Sequence, residues 1–397
     1  MTRLDRWAVA TVLSSLPLRS VLAAFTDLSP DEAYYLSAAR TGWLPPDHPP
    51  LTILLARAAD AIPALPLELR LRAVPLVLGT VTALLLLLAV ALRDAPAATQ
   101  RWTAVVSSWT LLPMAGGFLA TPDAPAACVV AALLVLYQLP GSPASRVAAF
   151  VVAALGLASK VVLIPLVFLS ALLPWRANRW RLPMGAALAC SALLVGPSLV
   201  FQTNHAFRPG SWSALSALGA LAAVVAAQLA LWSPSTWIDG LRALPRAPLL
   251  DRAWALALIG LVVGSTLIRA VPAEPNWLAP AALVLIVSAA RGDRTPSTAS
   301  RVALLAFGPL LTVVAASHVI HPWLPLPASA DPAARLHGWK SNTAPTQAPG
   351  IGVYAAAAER CVYRNSCHEI DQYFQTINSR SSSDHQGTIP ARDPLNE

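Results

Sequence analysis

Long apolar runs separated by short, arginine-bearing gaps dominate this sequence. A helix needs roughly 20 apolar residues to cross a bilayer. Runs near that length predict membrane-spanning helices at about 7–25, 73–92, 103–120, 124–139, 183–201, 214–232, 253–268, 278–290 and 302–320. Residues 51–62 carry Arg57 and Asp60 and are too short and polar to span, so they predict a helix at the membrane surface.

Residues 147–173 admit two interpretations, a single span or a hairpin of two short helices. A single span would place Arg176, Arg179 and Arg181 outside, against the excess of Lys and Arg that marks cytoplasmic loops. A hairpin that turns near 156–160 keeps them inside, and short helices are tolerated where they line a cavity. We therefore predict a hairpin and about eleven membrane segments, with the N-terminus in the cytoplasm and the C-terminus outside.

The composition supports a membrane protein and excludes other classes. Of 397 residues, 56% are hydrophobic and only 12% are charged, whereas soluble domains carry about 25% charged residues. The formal net charge of +8 comes chiefly from Arg residues in the gaps between spans, where basic residues set the topology. The positive charge therefore does not indicate nucleic-acid binding.

The chain divides into a membrane domain, residues 1–320 with a first outer loop at 26–72, and a polar tail, residues 321–397. Residues 378–397 have the composition of a disordered segment. The tail contains Cys361 and Cys367, and an oxidising compartment favours a disulfide between them. The pattern C-x5-C-H-E leaves a metal site as the alternative, although its spacing fits no standard zinc pattern.

Polar side chains that are unusual for a membrane protein gather on the predicted outer side. Acidic groups in hydrocarbon are too costly to be there without a partner or a function. Lys160, in a strongly apolar run, needs an anionic partner or a water-filled cavity for the same reason. The predicted site residues are Asp31, Glu32, Tyr34, Tyr35, Asp47, His48, Arg57, Asp123, Lys160, Asn276 and Trp277.

Several of these residues also have a purely structural explanation. Ser29 and Pro30 are typical of the N-cap and first position of a helix, so Asp31 and Glu32 could serve only to start a loop helix. Asp123 could start a helix in the same way. Tyr and Trp are enriched at the surfaces of any membrane protein, but this enrichment does not explain the carboxylates.

The set suits transfer of a group from a lipid phosphate. A carboxylate at the membrane surface can take a proton from an attacking hydroxyl, and a leaving phosphate needs cationic or N–H donors at the same depth. Lys160, together with His48 or Arg57, would supply those donors. Asp, Glu and His also bind divalent cations, so a cation stays an open option. No ligand spacing requires one, and we predict no metal site.

Six motifs, in order along the chain, resemble those of bacterial GT-C glycosyltransferases, the superfamily of protein O-mannosyltransferases and lipid A aminoarabinose transferases. They are D-E-A-Y-Y at 31–35, D-H-P-P at 47–50, T-P-D-A-P at 121–125, G-L-A-S-K at 156–160, P-N-W-L-A-P at 275–280 and D-P-A-A-R-L-H-G-W at 331–339. The resemblance implies an all-α polytopic GT-C fold with a small outer C-terminal tail. It also implies that Asp31 is the base, Asp123 the second acidic residue and Lys160 the lysine of a turn.

We therefore expect an inverting glycosyltransferase of the bacterial cytoplasmic membrane. It would move a sugar from a polyprenyl-phosphate donor to a lipid, glycan or protein acceptor on the outer face. Glu32 would assist Asp31 and Asp123 in catalysis, and substrate would contact Tyr34, Tyr35, Asp47, Asn276 and Trp277.

Two alternatives stay open. One is a transporter or flippase of lipid-linked sugars, and the other is an inactive GT-C-like scaffold, since the short tail lacks an alternating strand pattern. A transporter should show similarly broken spans in its two halves. The sequence indicates one hairpin and no matching break later in the chain.

Overall fold

The computed structural model describes residues 4–45, 47–173, 180–206, 212–289, 297–327, 331–338, 340, 353–364, 367 and 370. Within these ranges the chain is helical and contains no strand, which confirms the all-α class. The helices are α1 (Arg6–Phe25), α2 (Pro30–Thr41), α3 (Leu51–Asp60), α4 (Leu67–Ala91), α5 (Ala97–Trp109), α6 (Leu111–Gly116), α7 (Asp123–Leu136), α8 (Pro143–Ser159), α9 (Ile164–Leu172), α10 (Arg181–Ala206), α11 (Ala214–Trp232), α12 (Pro234–Ala243), α13 (Leu249–Arg269), α14 (Ala279–Ala289), α15 (Thr298–Leu305), α16 (Leu311–Ile320) and α17 (Val353–Arg364).

Apolar helices form the body of the molecule. By length and composition, five are suited to cross a bilayer: α1, α4, α11, α13 and the stretch Thr298–Ile320, which contains α15 and α16. Shorter apolar helices accompany them at Asp123–Leu136, Pro143–Ser159, Val161–Leu172 and Pro275–Ala289. The polytopic architecture is confirmed, whereas the count of about eleven crossings stays a prediction.

The chain reverses direction at Lys160, between α8 and α9. Lys160 has extended backbone angles, φ −155° and ψ 126°, which end α8. Its ammonium contacts Asp123 at the start of α7. Tyr137, just after α7, packs its ring against Trp180 and Trp254, with centroids 5.1 Å apart in each pair. Residue 180 has therefore returned to the level of residue 137, as the predicted hairpin requires.

We call the end of the bundle with Asp123 and Lys160 the site end, and the end with Tyr137 the opposite end. A buried ion pair fixes the opposite end: Arg93 Nη2 lies 2.7 Å from Asp251 Oδ2, and Arg93 also donates to the carbonyl oxygen of Val287. These residues come from the ends of α4, α13 and α14. Removing one partner of such a pair costs about 3–5 kcal/mol, so the contact holds the three helices together.

Two further predicted spans are broken, and both breaks involve proline. The third predicted span consists of α5 and α6, separated just after Trp109. Pro113 accounts for the break, because its ring clashes with the carbonyl group four residues earlier. The last predicted span contains a π-turn at Ala306–Leu310, where Pro309 follows a non-helical Gly308. The sequence analysis did not predict either break.

A buried arginine donates a hydrogen bond to a carbonyl oxygen beside the break between α5 and α6. Arg19 of α1 is fully buried and donates from Nη2 to the carbonyl oxygen of Ser108, 3.3 Å away. Gly117 provides the room, since a Cβ at this position would come within 2.7 Å of the guanidinium carbon. A carbonyl released by a helix break needs such a donor where water is absent.

Helices α2, α3 and α17 cover the site end. Ala358 and Val362 of α17 share a buried apolar cluster with Tyr34, Tyr35 and Leu36 of α2. This packing places α17, a helix of the tail, directly on the helix that carries the first sequence motif.

The tail contains the disulfide that the sequence favours. Cys361 and Cys367 are bonded, which closes the end of α17. His368 and Glu369, the alternative metal ligands, lie outside the described residues, and so does the segment 378–397 for which disorder is predicted.

Candidate functional site

The first turn of α2 is built by a capping box. The Ser29 hydroxyl accepts the N–H of Glu32 at 3.3 Å, and Glu32 Oε2 accepts the N–H of Ser29 at 2.9 Å. Pro30 occupies the first helical position, where its missing N–H is not needed. The helix start predicted from these residues is confirmed, and it sends Asp31 and Glu32 into different surroundings.

Glu32 is fully enclosed by an arginine that the sequence analysis did not single out. Arg72 of α4 donates to both carboxylate oxygens, at 2.9 Å and 2.6 Å, and both side chains are 0% exposed. Arg72 also donates to the carbonyl oxygens of Ala23, Thr26 and Asp27. One guanidinium thus ties the end of α1 to the start of α2.

The same geometry argues against the predicted catalytic role of Glu32. Its Oε1 also accepts the N–H of Ala120 at 2.8 Å, so both oxygens are occupied and neither faces solvent. A carboxylate held by a bidentate arginine is a strong structural contact. We assign Glu32 to holding the loop in place. The only sequence signal for Arg72 is a charge at the edge of an apolar span, predicted at 73–92.

Asp31 faces the other way and is open. Its side chain is 44% exposed, and Oδ2 lies 3.8 Å from Nη2 of Arg335 in the segment after the last span. Among the predicted acidic residues Asp31 has the most exposed side chain, since Asp47, Asp123 and Glu32 are 21%, 18% and 0% exposed. Arg335 belongs to the sixth motif, but the sequence analysis assigns it no role.

Three motifs that are distant in sequence meet at Asp123. Lys160 Nζ lies 2.6 Å from Asp123 Oδ1, with the two side chains 14% and 18% exposed. Asn276 Nδ2 donates to Asp123 Oδ2 at 2.9 Å, and the Thr121 hydroxyl donates to the same oxygen at 3.3 Å. Asp123 is therefore neutralised and oriented by its neighbours. The partner that Lys160 requires is this carboxylate.

The first two motifs are joined by their aromatic residues. The Tyr34 hydroxyl donates to the Asp47 carboxylate at 2.7 Å and 2.9 Å. The Tyr35 hydroxyl lies 3.4 Å from His48 Nε2. Both tyrosine rings are buried, whereas His48 is partly exposed, so the tyrosines fix the positions of the two polar residues after α2.

The remaining predicted residues lie apart from these contacts. Arg57 is exposed on α3, the short surface helix that the sequence predicts. Trp277 is partly buried and its indole N–H donates to the Glu274 carboxylate at 3.1 Å.

An apolar groove runs beside Asp123. It opens partly to the surroundings and is formed by α3, α4 and the start of α7. Its walls are Thr52, Leu55, Ala56, Leu71, Val74, Pro75, Leu78, Ala120, Thr121, Ala124 and Pro125. Since Ala120 also binds Glu32, the first turn of α2 lies at the rim of this groove.

A further carboxyl group is buried where α17 meets α2. Glu359 is 4% exposed, and neither of its oxygens has a hydrogen-bond partner in the part of the chain that the structure describes. Burial, together with the nearby charges of Glu32 and Asp27, raises the pKa of Glu359 to about 10. The group is therefore neutral at pH 7. The sequence carries no signal for it.

Most acidic and basic side chains at this end form ion pairs with one another. No group of three or more His, Cys, Asp or Glu side chains suited to hold a metal ion occurs in the described ranges. The site thus consists of an exposed carboxylate, Asp31, a neutralised carboxylate, Asp123, and an apolar groove beside Asp123.

These features define a class, a polytopic helical membrane protein with paired and exposed charged side chains clustered at one end of the bundle. The fold is that of ArnT from Cupriavidus metallidurans, a GT-C protein. Its structure bound to undecaprenyl phosphate matches with a TM-score of 0.52 and 17% identity, over 94% of this chain and 74% of ArnT. The apo structure of ArnT gives a TM-score of 0.50 and 16% identity over the same shares.

No family model matches the chain, and no curated protein is significantly similar to it in sequence. At this level of identity the likeness to ArnT shows the fold. The GT-C fold expected from the six motifs is confirmed.

Proposed function

We propose that this protein is a membrane glycosyltransferase that takes a sugar from a polyprenyl-phosphate donor. The observation that carries the proposal is Asp31, a carboxylate that is 44% exposed and is adjacent in sequence to Glu32, which binds the groove residue Ala120. The ArnT structure with bound undecaprenyl phosphate supports a lipid-phosphate ligand for this fold. The acceptor is a lipid, glycan or protein on the outer face of a bacterial cytoplasmic membrane, with the N-terminus inside and the C-terminus outside.

Asp31 is the general base in this proposal. It takes the proton of an acceptor hydroxyl while the oxygen attacks the anomeric carbon, and the bond from that carbon to the phosphate oxygen breaks. The polyprenyl phosphate leaves with the electron pair, and attack from the opposite face inverts the configuration. Asp123, held by Lys160 and Asn276, forms the fixed polar wall beside the reacting sugar.

The apolar groove suits the first isoprene units of the donor. Its walls are apolar apart from two threonines, Thr52 and Thr121. Thr121 and Ala124 flank Asp123 in sequence, so a lipid chain in the groove brings its phosphate to the charged groups. His48 and Asp47, oriented by Tyr35 and Tyr34, line the approach of the sugar.

A transporter of lipid-linked sugars is the second candidate, and the broken spans favour it. The breaks after Trp109 and at Ala306–Leu310 meet, since the Thr312 hydroxyl donates to the Trp109 carbonyl oxygen at 2.8 Å. The buried pair of Arg93 and Asp251 argues against it, because alternating access would have to open the end that this pair holds. We therefore favour the transferase.

The test is the change Asp31→Asn in a strain whose own copy of the gene is deleted. It keeps the size of the side chain and removes the proton acceptor. Transfer, read by mass spectrometry of cell-envelope glycans, should fall by about 10²-fold or more at normal expression.

Two control variants accompany it. Asp94→Asn should leave transfer unchanged, since Asp94 is exposed beyond α4 with a φ of 57°, which Asn accepts readily. Asp27→Asn should be milder than Asp31→Asn. If the Asp31→Asn variant transfers sugar at the wild-type level, Asp31 is not the general base. Glycans unchanged by deletion of the gene itself would count against the transferase.

A further inference from the structure

The link between α1 and α2, residues 26–29, is bound by segments that follow the last predicted span. The N–H of Asp27 donates to the carbonyl oxygen of Leu336 at 2.9 Å, and the N–H of Leu28 donates to the Tyr363 hydroxyl at 2.8 Å. Tyr363 lies in α17, a helix of the tail. Because the link leads directly into α2, these contacts fix where that helix starts.

The N–H of Leu28 depends on the Tyr363 hydroxyl. Leu28 is 0% exposed, and it precedes the N-cap residue Ser29, so its N–H lies outside the hydrogen bonds of the helix. A buried backbone N–H that loses its partner is costly, because water cannot replace the bond. A side chain of the tail thus satisfies a donor that α2 itself leaves unpaired.

The Tyr363 hydroxyl is in turn held by a second contact. It donates to Glu68 Oε1 at 3.1 Å, and Lys340 Nζ lies 2.6 Å from the same oxygen. Burial raises the pKa of Tyr363, so the hydroxyl keeps its proton at neutral pH and can accept from Leu28 while it donates to Glu68.

The end of α17 that carries Tyr363 is fixed to α2 as well. Arg40, in the last turn of α2, donates to the carbonyl oxygen of Val362 at 3.1 Å. Val362 and Tyr363 lie between Cys361 and Cys367, which form the disulfide. A closed covalent loop restricts the conformations of the segment inside it, so the hydroxyl stays opposite the link.

We propose that Tyr363 is a positioning residue for Asp31. This inference rests on the proposed transferase function. Asp31 follows Leu28 by three residues, and the capping box joins its helical turn rigidly to the link. A shift of about 1 Å in a reacting group can lower a rate by about 10²-fold. Tyr363 therefore acts on transfer through the position of the Asp31 carboxylate, without contact to the substrate.

The change Tyr363→Phe tests the proposal, because it keeps the ring and removes only the hydroxyl. Amide hydrogen exchange of the purified full chain in detergent should become about 5-fold to 30-fold faster in residues 27–32, in line with the loss of one buried hydrogen bond. Exchange at the start of α13, at the opposite end, should not change. The control Arg364→Gln, an exposed position next to Tyr363, should exchange like wild type.

Transfer is measured in the deletion strain by mass spectrometry of cell-envelope glycans. Tyr363→Phe should lower transfer by about 10-fold, and Arg364→Gln should leave it unchanged. The double variant Tyr363→Phe, Asp31→Asn should transfer like Asp31→Asn alone, since a residue that acts through Asp31 has no further effect once the base is gone. Independent effects would multiply instead.

The outcomes separate the two levels of the proposal. Unchanged exchange in residues 27–32 of Tyr363→Phe, or full transfer by that variant, would overturn the inference and leave the transferase standing. A double variant that falls to the product of the two single losses would give Tyr363 a purely structural role and overturn the inference, and so would a Tyr363→Phe chain that does not fold. Glycans unchanged by deletion of the gene would count against the transferase itself, whatever the exchange rates show.

Discussion

The contact between Lys160 and Asp123 makes a prediction that separates a structural charge from a ligand-binding one. If Lys160 holds Asp123, Lys160→Met strands a carboxylate that is 18% exposed. Opposite charges 2.6 Å apart attract by about 6 kcal/mol at an effective dielectric constant of about 20. Desolvation of both groups offsets part of this attraction, and Asn276 and Thr121 still donate to Asp123 after the change. We therefore expect a net loss of about 2–3 kcal/mol, near the lower end for buried pairs.

Thermal melting in detergent measures this loss. Lys160→Met should lower the melting temperature by about 3–5 °C for a chain of this size. The double variant Lys160→Met, Asp123→Asn should recover part of this lost stability, because no unpaired carboxylate remains. The coupling free energy between the two positions should then be about 1 kcal/mol or more. Arg146→Met is the control: Arg146 is exposed on α8, the helix that ends at Lys160, so its loss should stay below about 1 kcal/mol.

The opposite result is equally clear. If Lys160→Met melts like wild type and shows no coupling to Asp123→Asn, the structural role is refuted. If that stable variant also loses the stabilisation that undecaprenyl phosphate gives to wild type, Lys160 is a donor ligand, as the sequence predicts.

Three other predictions concern the tail and the topology. Because burial raises the pKa of Glu359 from 4.5 to about 10, its neutral form stabilises docked α17 fully below pH 4.5, and this contribution is lost as the pH rises towards 10. The rate of amide hydrogen exchange in α17 should therefore rise more steeply with pH in wild type than in Glu359→Gln. Equal increases in the two proteins would contradict the buried position. Cys361 and Cys367 should resist alkylation until a reductant is added, and free reactivity in the folded protein would rule out the disulfide. Reporter fusions near residue 97 should read as cytoplasmic and those after residue 125 as external, whereas the reverse would invert the topology.

Local signals in the sequence were sufficient for several elements. The capping residues Ser29 and Pro30 predict the start of α2, because the signal and the structure lie within one turn. The arginine pattern predicts the turn at Lys160, because basic residues stay on one side of the membrane. The two broken spans were not predicted, although Pro113 and Pro309 are visible in the sequence. Hydropathy is averaged over a window of residues, and a single proline changes that average little.

The tertiary structure decided which charged groups are reachable. Asp31 and Glu32 are neighbours with equal charge, yet one is open and the other is sealed by Arg72 and Ala120, which lie 40 and 88 positions away. Arg335 reaches Asp31 from the far end of the chain. Exposure and ion pairing depend on which distant helices pack together, and hydropathy and motif spacing carry no information on that packing. The sequence therefore determined a membrane protein with acidic motifs at one face, and the fold determined which carboxylate can meet a substrate.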